Sequence, residues 1–213
     1  MNLKKNPELI PLIEWWEKDG RQLTMWLLAA AIAFGGWYAW KNHRQAMKIA
    51  ASDALVSAYT VEELEDAAAK FADKEAGGAI KLRLAKSYYD SGRYQEALDQ
   101  YDALSTCAPD GFADIPVVGR AMCLEALGKY DEALQAFDKF SEENPKSYLA
   151  LTARLGAARC LCQNGNRAKA LARIDAIRAS VKDDEISQAR VEAVETAIKR
   201  YVKKAQKAAP SVK

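Results

Sequence analysis

The stretch Leu84–Leu104, LAKSYYDSGRYQEALDQYDAL, decides the fold. Ala85 and Tyr88 precede Gly92; Tyr94, Ala97 and Tyr101 follow it, and Pro109 closes the phrase. The same order returns as Ala121, Leu124, Gly128, Tyr130, Ala133, Phe137 and Pro145. A third copy runs Ala157, Ala158, Leu161, Gly165, Arg167, Ala170 and Ile174, with arginine where the turn aromatic stands and no clear closing proline. Recurrence at about 34–37 residues marks a stacked helical array, in which each unit buries its apolar face only against its neighbours. Such an array works by presenting a surface.

Each copy needs two helices and a tight turn. Gly92, Gly128 and Gly165 sit where the first helix must end, and glycine adopts the left-handed closing conformation at least cost. Alanines at 85, 97, 121, 133, 158 and 170 let paired helices approach, and Tyr88, Tyr94, Tyr101, Tyr130 and Phe137 fill the spaces beside them. Pro109 and Pro145 stop the second helices for want of an N–H. This pattern resembles the tetratricopeptide (TPR) family and implies an all-α superhelix; the rival reading is an ordinary helical bundle. A degenerate upstream copy is expected around Ala67 and Phe71, with Leu64 at the turn-aromatic position and Ala54–Ala58 on the preceding helix. A capping helix should follow the last repeat, N-capped by Asp183 or Asp184 and apolar through Ile186, Ala189, Val191, Val194, Ile198 and Tyr201. Beyond it Lys203, Lys204, Lys207 and Pro210 read as a solvated end, with 209–213 frayed.

Gln22–Trp40, QLTMWLLAAAIAFGGWYAW, carries no formal charge. At about 1.5 Å per residue it spans roughly 28 Å, close to the hydrocarbon thickness of a bilayer. Trp26 lies near one end and Trp37, Tyr38 and Trp40 at the other, as in interfacial aromatic belts. A buried core helix is disfavoured, because nothing else in the chain is apolar enough to surround it. A cleaved signal peptide is disfavoured by the acids Glu8, Glu14, Glu17 and Asp19 ahead of the run and by bulky Trp37 and Trp40 where small residues belong. The reading is an uncleaved single-pass anchor over 22–40, after an N-terminal segment 1–21 and before a repeat domain 41–208. Lys4, Lys5, Lys18 and Arg21 against Lys41, Arg44 and Lys48 bias the N-terminus weakly toward the cytoplasm. Pro7–Gly20 reads as a short interfacial helix. Ala29, Ala33 and Gly36 offer a face for lateral packing, with a lipid-facing helix the equal alternative.

The run Glu14-Trp15-Trp16-Glu17-Lys18-Asp19-Gly20-Arg21, the apolar span, and Gly36-Trp37-Tyr38-Ala39-Trp40-Lys41-Asn42-His43-Arg44 together resemble the YfgM-type ancillary subunit of the SecYEG translocon. That resemblance implies a bacterial inner-membrane protein with a cytoplasmic N-terminus and a periplasmic TPR-like domain, associated with the translocon and periplasmic chaperones. The departure is in the repeats, whose TPR consensus is sharper than that family leads one to expect. Another envelope complex, in outer-membrane assembly or cell-wall synthesis, is therefore the alternative partner.

Other chemistry has little footing. Lys and Arg number 31 against 29 Asp and Glu, so strong capture of nucleic acid is not expected. His43, the sole histidine, lacks the companions of a triad or a metal site. Gly77-Gly78 and Gly35-Gly36 lack the strand and the Lys-Ser/Thr of a phosphate loop. The reading is therefore a non-enzyme, with no cofactor or metal. Cys107, Cys123, Cys160 and Cys162 contain no Cys-x-x-Cys and read as small core residues; a thiol-dependent redox protein is the rival from the enzyme class. Stacked helices lie about 8–10 Å apart, too far for an easy Cys123–Cys160 bridge. Cys162 is expected to face the groove.

Aligning the turn glycines gives that groove: Leu82, Lys86, Tyr89 and Asp90 from the first repeat, Val118, Met122 and Glu125 from the second, Leu155, Arg159 and Cys162 from the third. Apolar centres edged by Lys86 and Arg159 suit an extended or helical protein segment with some negative charge. The other reading packs several of these residues under a loop or the capping helix.

Overall fold

The structure, a computed structural model, describes residues 11, 15–16, 20–72, 74–105, 108 and 111–208. Most of the N-terminal segment, Cys107, Pro109 and the end of the tail lie outside them. The chain divides into two units, residues 1–50 and 51–213.

The helix α1, Arg21–Ser57, makes up most of the described part of the first unit as far as Ala50, and its last turns, from Ala51, belong to the second. At 37 residues α1 outruns the expected 22–40 segment and extends about 55 Å. Its large apolar side chains Trp26, Leu28, Ile32 and Phe34 are all exposed, and the apolar part buries nothing. Length and composition make it a helix able to cross a membrane.

The second unit is all helical among its described residues. It contains α2 (Val61–Lys70), α3 (Lys74–Asp90), α4 (Tyr94–Leu104), α5 (Asp114–Ala126), α6 (Tyr130–Glu143), α7 (Ala150–Gln163), α8 (Arg167–Ser180) and α9 (Glu185–Ala208). α3–α4, α5–α6 and α7–α8 are the three hairpins, each packed on the next, and first helices also touch first helices. The all-α repeat fold expected from the sequence is the fold observed.

Each hairpin turn closes alike. Gly92 has φ +78°, its N–H donates to Tyr89 C=O at 3.0 Å, and Arg93 N–H donates to Tyr88 C=O at 2.8 Å. Gly128 and Gly165 repeat this pair of bonds, the six-to-one and five-to-two arrangement that satisfies orphan carbonyls at a helix end. The six alanines named above are buried and Phe137 is wholly so, placing small and large residues as the repeat pattern requires.

The seam between repeats depends on two closer approaches. A methyl built on Gly119 of α5 would lie 2.6 Å from the Tyr101 ring of α4. One on Gly156 of α7 would lie 2.6 Å from the Phe137 ring of α6. The bare backbone of each succeeding helix therefore seats the aromatic of the one before.

α2 stands where the second helix of an upstream repeat would, packed on α3 with Leu64, Ala67 and Phe71 buried. It begins without a glycine turn. Thr60 Oγ1 accepts from Glu63 N–H at 3.2 Å while Glu63 accepts from Thr60 N–H at 3.1 Å, a reciprocal cap. Glu65 ties it forward, accepting from Tyr88 Oη at 2.7 Å and from Arg93 at 3.1 Å. Arg83 donates to the carbonyl of Leu55.

α9 is the capping helix. Asp184 caps it, accepting from Ile186 and Ser187 N–H, both at 3.1 Å. Its buried face differs from the one expected: Val191 and Ile198 enter the core with Val194 beside them, whereas Ile186, Ala189 and Tyr201 are exposed. Val191, Val194 and Ile198 share one stripe at i, i+3 and i+7, and Ile186 and Ala189 fall on the far side.

Candidate functional site

Five of the ten residues anticipated for the groove line one cavity, and Leu82, Glu125, Leu155, Arg159 and Cys162 do not. Lys86, Tyr89 and Asp90 from α3 meet Val118 and Met122 from α5 around a cavity of about 320 Å³. Tyr101, Gly119 and Ile115 form its floor and side, and Tyr148, Leu149 and Thr152 close it from the loop and first turn of α7. Tyr148, 64% exposed, stands at the mouth.

Electrostatics here differ from a basic-edged groove. Lys86 Nζ lies 2.7 Å from Asp90 on its own helix. Arg159 makes two bonds to Glu125, Nε to Oε1 at 2.7 Å and Nη2 to Oε2 at 2.6 Å, joining α7 to α5. Burial works against the charged guanidinium, yet hydrogen bonding and the charge of Glu125 hold the Arg159 pKa above its ordinary value. Burial, followed by the Glu125 charge, raises Tyr89 as well, keeping its hydroxyl a neutral donor. Both cations thus already have counter-ions; Lys86 borders the cavity, Arg159 does not, and the lining is mainly apolar. Tyr89 is braced edge-on by Tyr94, ring centroids 5.3 Å apart.

Leu155 and Cys162 do not join this cavity. Both are buried in the core with Ile174, Val191 and Ile198, because α9 covers that part of α7. Leu82 is half-buried on α3 and does not line it. Sequence alignment by turn glycines missed Ile115, Tyr148, Leu149 and Thr152. Ile115 and Thr152 were recoverable, since they occupy equivalent positions on α5 and α7; the Tyr148-Leu149 loop has no repeat counterpart.

The described cysteines sit in apolar surroundings. Burial pushes Cys123 and Cys160 up to about 12, reinforced by Asp102 and Glu125 respectively, and burial also raises Cys162. A thiol so shifted supplies almost no thiolate at neutral pH. In the native full-length chain, iodoacetamide at pH 7 should leave these three unmodified and label them all after urea unfolding, read by peptide mass mapping. Rapid native labelling of any would restore the thiol-redox rival.

Paired helices, glycine turns and a groove along the first helices define a superhelical repeat protein built for binding. The tetratricopeptide repeat-like domain family matches residues 14–137, more than half the chain, and a second tetratricopeptide repeat family matches residues 124–194. The chain belongs to the tetratricopeptide repeat-like domain family. No curated protein matches the sequence. Among solved structures, the Yersinia enterocolitica type III secretion chaperone SycD in complex with a peptide of the translocator YopD is 25% identical, over 56% of this chain and 89% of that one, with TM-score 0.46. A SycD structure described as an alternative dimer is 24% identical over 68% and 95%, TM-score 0.46. A third SycD structure is 20% identical over 72% and 92%, TM-score 0.48.

Proposed function

We propose that this protein is a non-catalytic adaptor of the bacterial inner membrane, held by α1 and presenting its repeats in the periplasm to protein partners of the Sec translocon and its chaperones. One observation carries the reading: the family match begins at residue 14, ahead of the apolar helix, and continues through it into the repeats. Anchor and repeats therefore belong to one family unit. The likeness of Glu14–Arg44 to the YfgM-type subunit supplies the N-in orientation and the translocon. Confinement to the bilayer plane raises the effective concentration of the groove near membrane machinery.

The groove's ligand is a protein segment with an apolar anchor residue. Lys86 and Arg159 already have acidic partners, so an acidic segment gains little from them. Binding energy comes from apolar burial against Tyr89, Val118 and Met122, with Tyr148 closing over the anchor.

The test places a photo-crosslinking amino acid at Tyr89 in living cells. Crosslinks to translocon subunits or periplasmic chaperones are expected, and Met122→Asp should reduce them about tenfold without loss of helicity. The chain should resist alkaline extraction from membranes, and its repeats should be digested by protease in spheroplasts. Repeats protected in spheroplasts, or a chain left in the supernatant, would refute the placement. Crosslinks to outer-membrane assembly or cell-wall synthesis proteins would transfer the reading to the alternative envelope complex.

A further inference from the structure

We propose that the cavity bordered by α3, α5 and the start of α7 selects a tyrosine as the anchor residue of its protein ligand, with the Tyr101 hydroxyl recognising the phenol; this rests on the reading of that cavity as the ligand site. Tyr101 belongs to α4 and is only 6% exposed, yet it borders the cavity. The tip of its ring lies against Gly119, where an added methyl would meet Cζ at 2.6 Å and Cε1 and Cε2 at 2.7 and 2.8 Å. Gly119 borders the same cavity, so the hydroxyl beyond Cζ reaches the floor.

Tyr88, buried to a similar degree, donates its hydroxyl to Glu65 at 2.7 Å. Among the described residues the Tyr101 hydroxyl has no such partner. Nor is it one of the wholly enclosed unpaired atoms found there, which are Gln163 Oε1 and Arg167 Nε. It therefore opens onto the cavity. Burial pushes its pKa up to about 12, so at neutral pH it is a protonated donor. Packing does not require the oxygen. The equivalent position is Phe137 in the next repeat and Ile174 in the last, and Phe137 meets Gly156 at the same 2.6 Å.

The lining decides what completes this group. Ile115, Val118, Met122 and Leu149 offer apolar walls, and at about 320 Å³ the cavity is at the small end of ligand sites, room for one large side chain. A leucine or phenylalanine anchor would displace water from the Tyr101 hydroxyl and leave it unpaired, which costs more than an ordinary hydrogen bond gains. A charged anchor finds no free counter-charge, since Lys86 and Asp90 already pair at the rim. A tyrosine meets the walls with its ring and accepts from Tyr101. Its own proton can go to Asp90, whose carboxylate has acceptor sites beyond those Lys86 takes.

The test titrates N-acetyl-tyrosinamide and N-acetyl-phenylalaninamide into the full-length chain in detergent, with methionine methyls carbon-13 labelled. Met122 is one of 4 methionines and borders the cavity, so its methyl signal reports occupancy. The tyrosine probe should bind about tenfold more tightly than the phenylalanine probe. In Tyr101→Phe that preference should disappear, while the phenylalanine probe binds no more weakly and circular dichroism stays native. Equal affinities for the native chain would overturn the tyrosine assignment and leave the cavity as an apolar anchor site. This comparison needs no variant, so it stands whatever the fold of Tyr101→Phe. A preference that survives in a folded Tyr101→Phe would overturn the role of the hydroxyl. If neither probe moved the Met122 signal, the cavity would not be the ligand site, and the proposal would fall with that reading.

Discussion

Arg159→Met should lower the stability of the repeat domain by about 3 kcal/mol, while Arg159→Met combined with Glu125→Leu should stay within about 1 kcal/mol of the native chain. The asymmetry follows from burial. Glu125 is only 9% exposed and both its carboxylate oxygens are taken up by Arg159, so losing the arginine strands a charge where water barely reaches. Arg159 itself is 31% exposed, which admits some solvent and places the cost at the lower end of the range for broken buried pairs. Removing both groups eliminates the desolvation penalty along with the attraction, and leucine and methionine fill similar volume. Urea unfolding of the full chain in detergent would read these differences as shifts in midpoint at constant slope. Equal losses in the single and double variants would mean that the pair is not stabilised as a buried unit. Because it spans 34 residues of sequence and joins α5 to α7, the single variant should also loosen coupling between repeats. Hydrogen exchange in α7 and α8 would rise more than in α3.

Legibility in the sequence follows from which constraints are local. A left-handed turn residue is dictated by backbone geometry alone, so Gly92, Gly128 and Gly165 announced three hairpins whose turns are identical in bonding. The Ala and aromatic spacing likewise fixed which faces meet. Pairings that depend on a neighbour's neighbour were not readable. Lys86 and Arg159 looked like free groove cations, but their counter-ions, Asp90 and Glu125, had been assigned to the same face as if independent. Leu155 and Cys162 occupy groove positions by alignment, yet the last repeat has no following hairpin and α9 covers them. The start of α2 lacked a turn glycine, and Thr60 with Glu63 was the available signal. Nothing in the apolar pattern stopped α1 at Trp40: Lys41–Ser57 contains no proline or glycine, and the helix continues through it. Gly119 and Gly156 were present at equivalent positions, a repeat within the repeat. Their meaning emerges only when the preceding helix brings its aromatic against them.

That contact carries the second large effect. Gly→Ala within a helix ordinarily adds about 1 kcal/mol of stability through propensity. At Gly156 the sign should reverse, with Gly156→Ala costing about 1–3 kcal/mol. The new methyl would sit 2.6 Å from the Phe137 ring, and Phe137 is wholly buried, so the ring cannot swing into solvent. Relief must come from widening the α6–α7 seam or from an off-rotamer ring. Phe137→Ala alone should cost about 3–5 kcal/mol by leaving a cavity at the same seam. The two losses should not add. With the ring gone, the added methyl enters the vacated space, so Gly156→Ala in the Phe137→Ala background should be neutral or stabilising. A double-mutant cycle by urea unfolding measures this as an interaction energy of about 1–3 kcal/mol. Gly36→Ala is the matched control, because a methyl there meets nothing within 4 Å and should not destabilise. If Gly156→Ala proved as stable as the native chain, the seam would have to be looser than the ring-to-backbone contact implies.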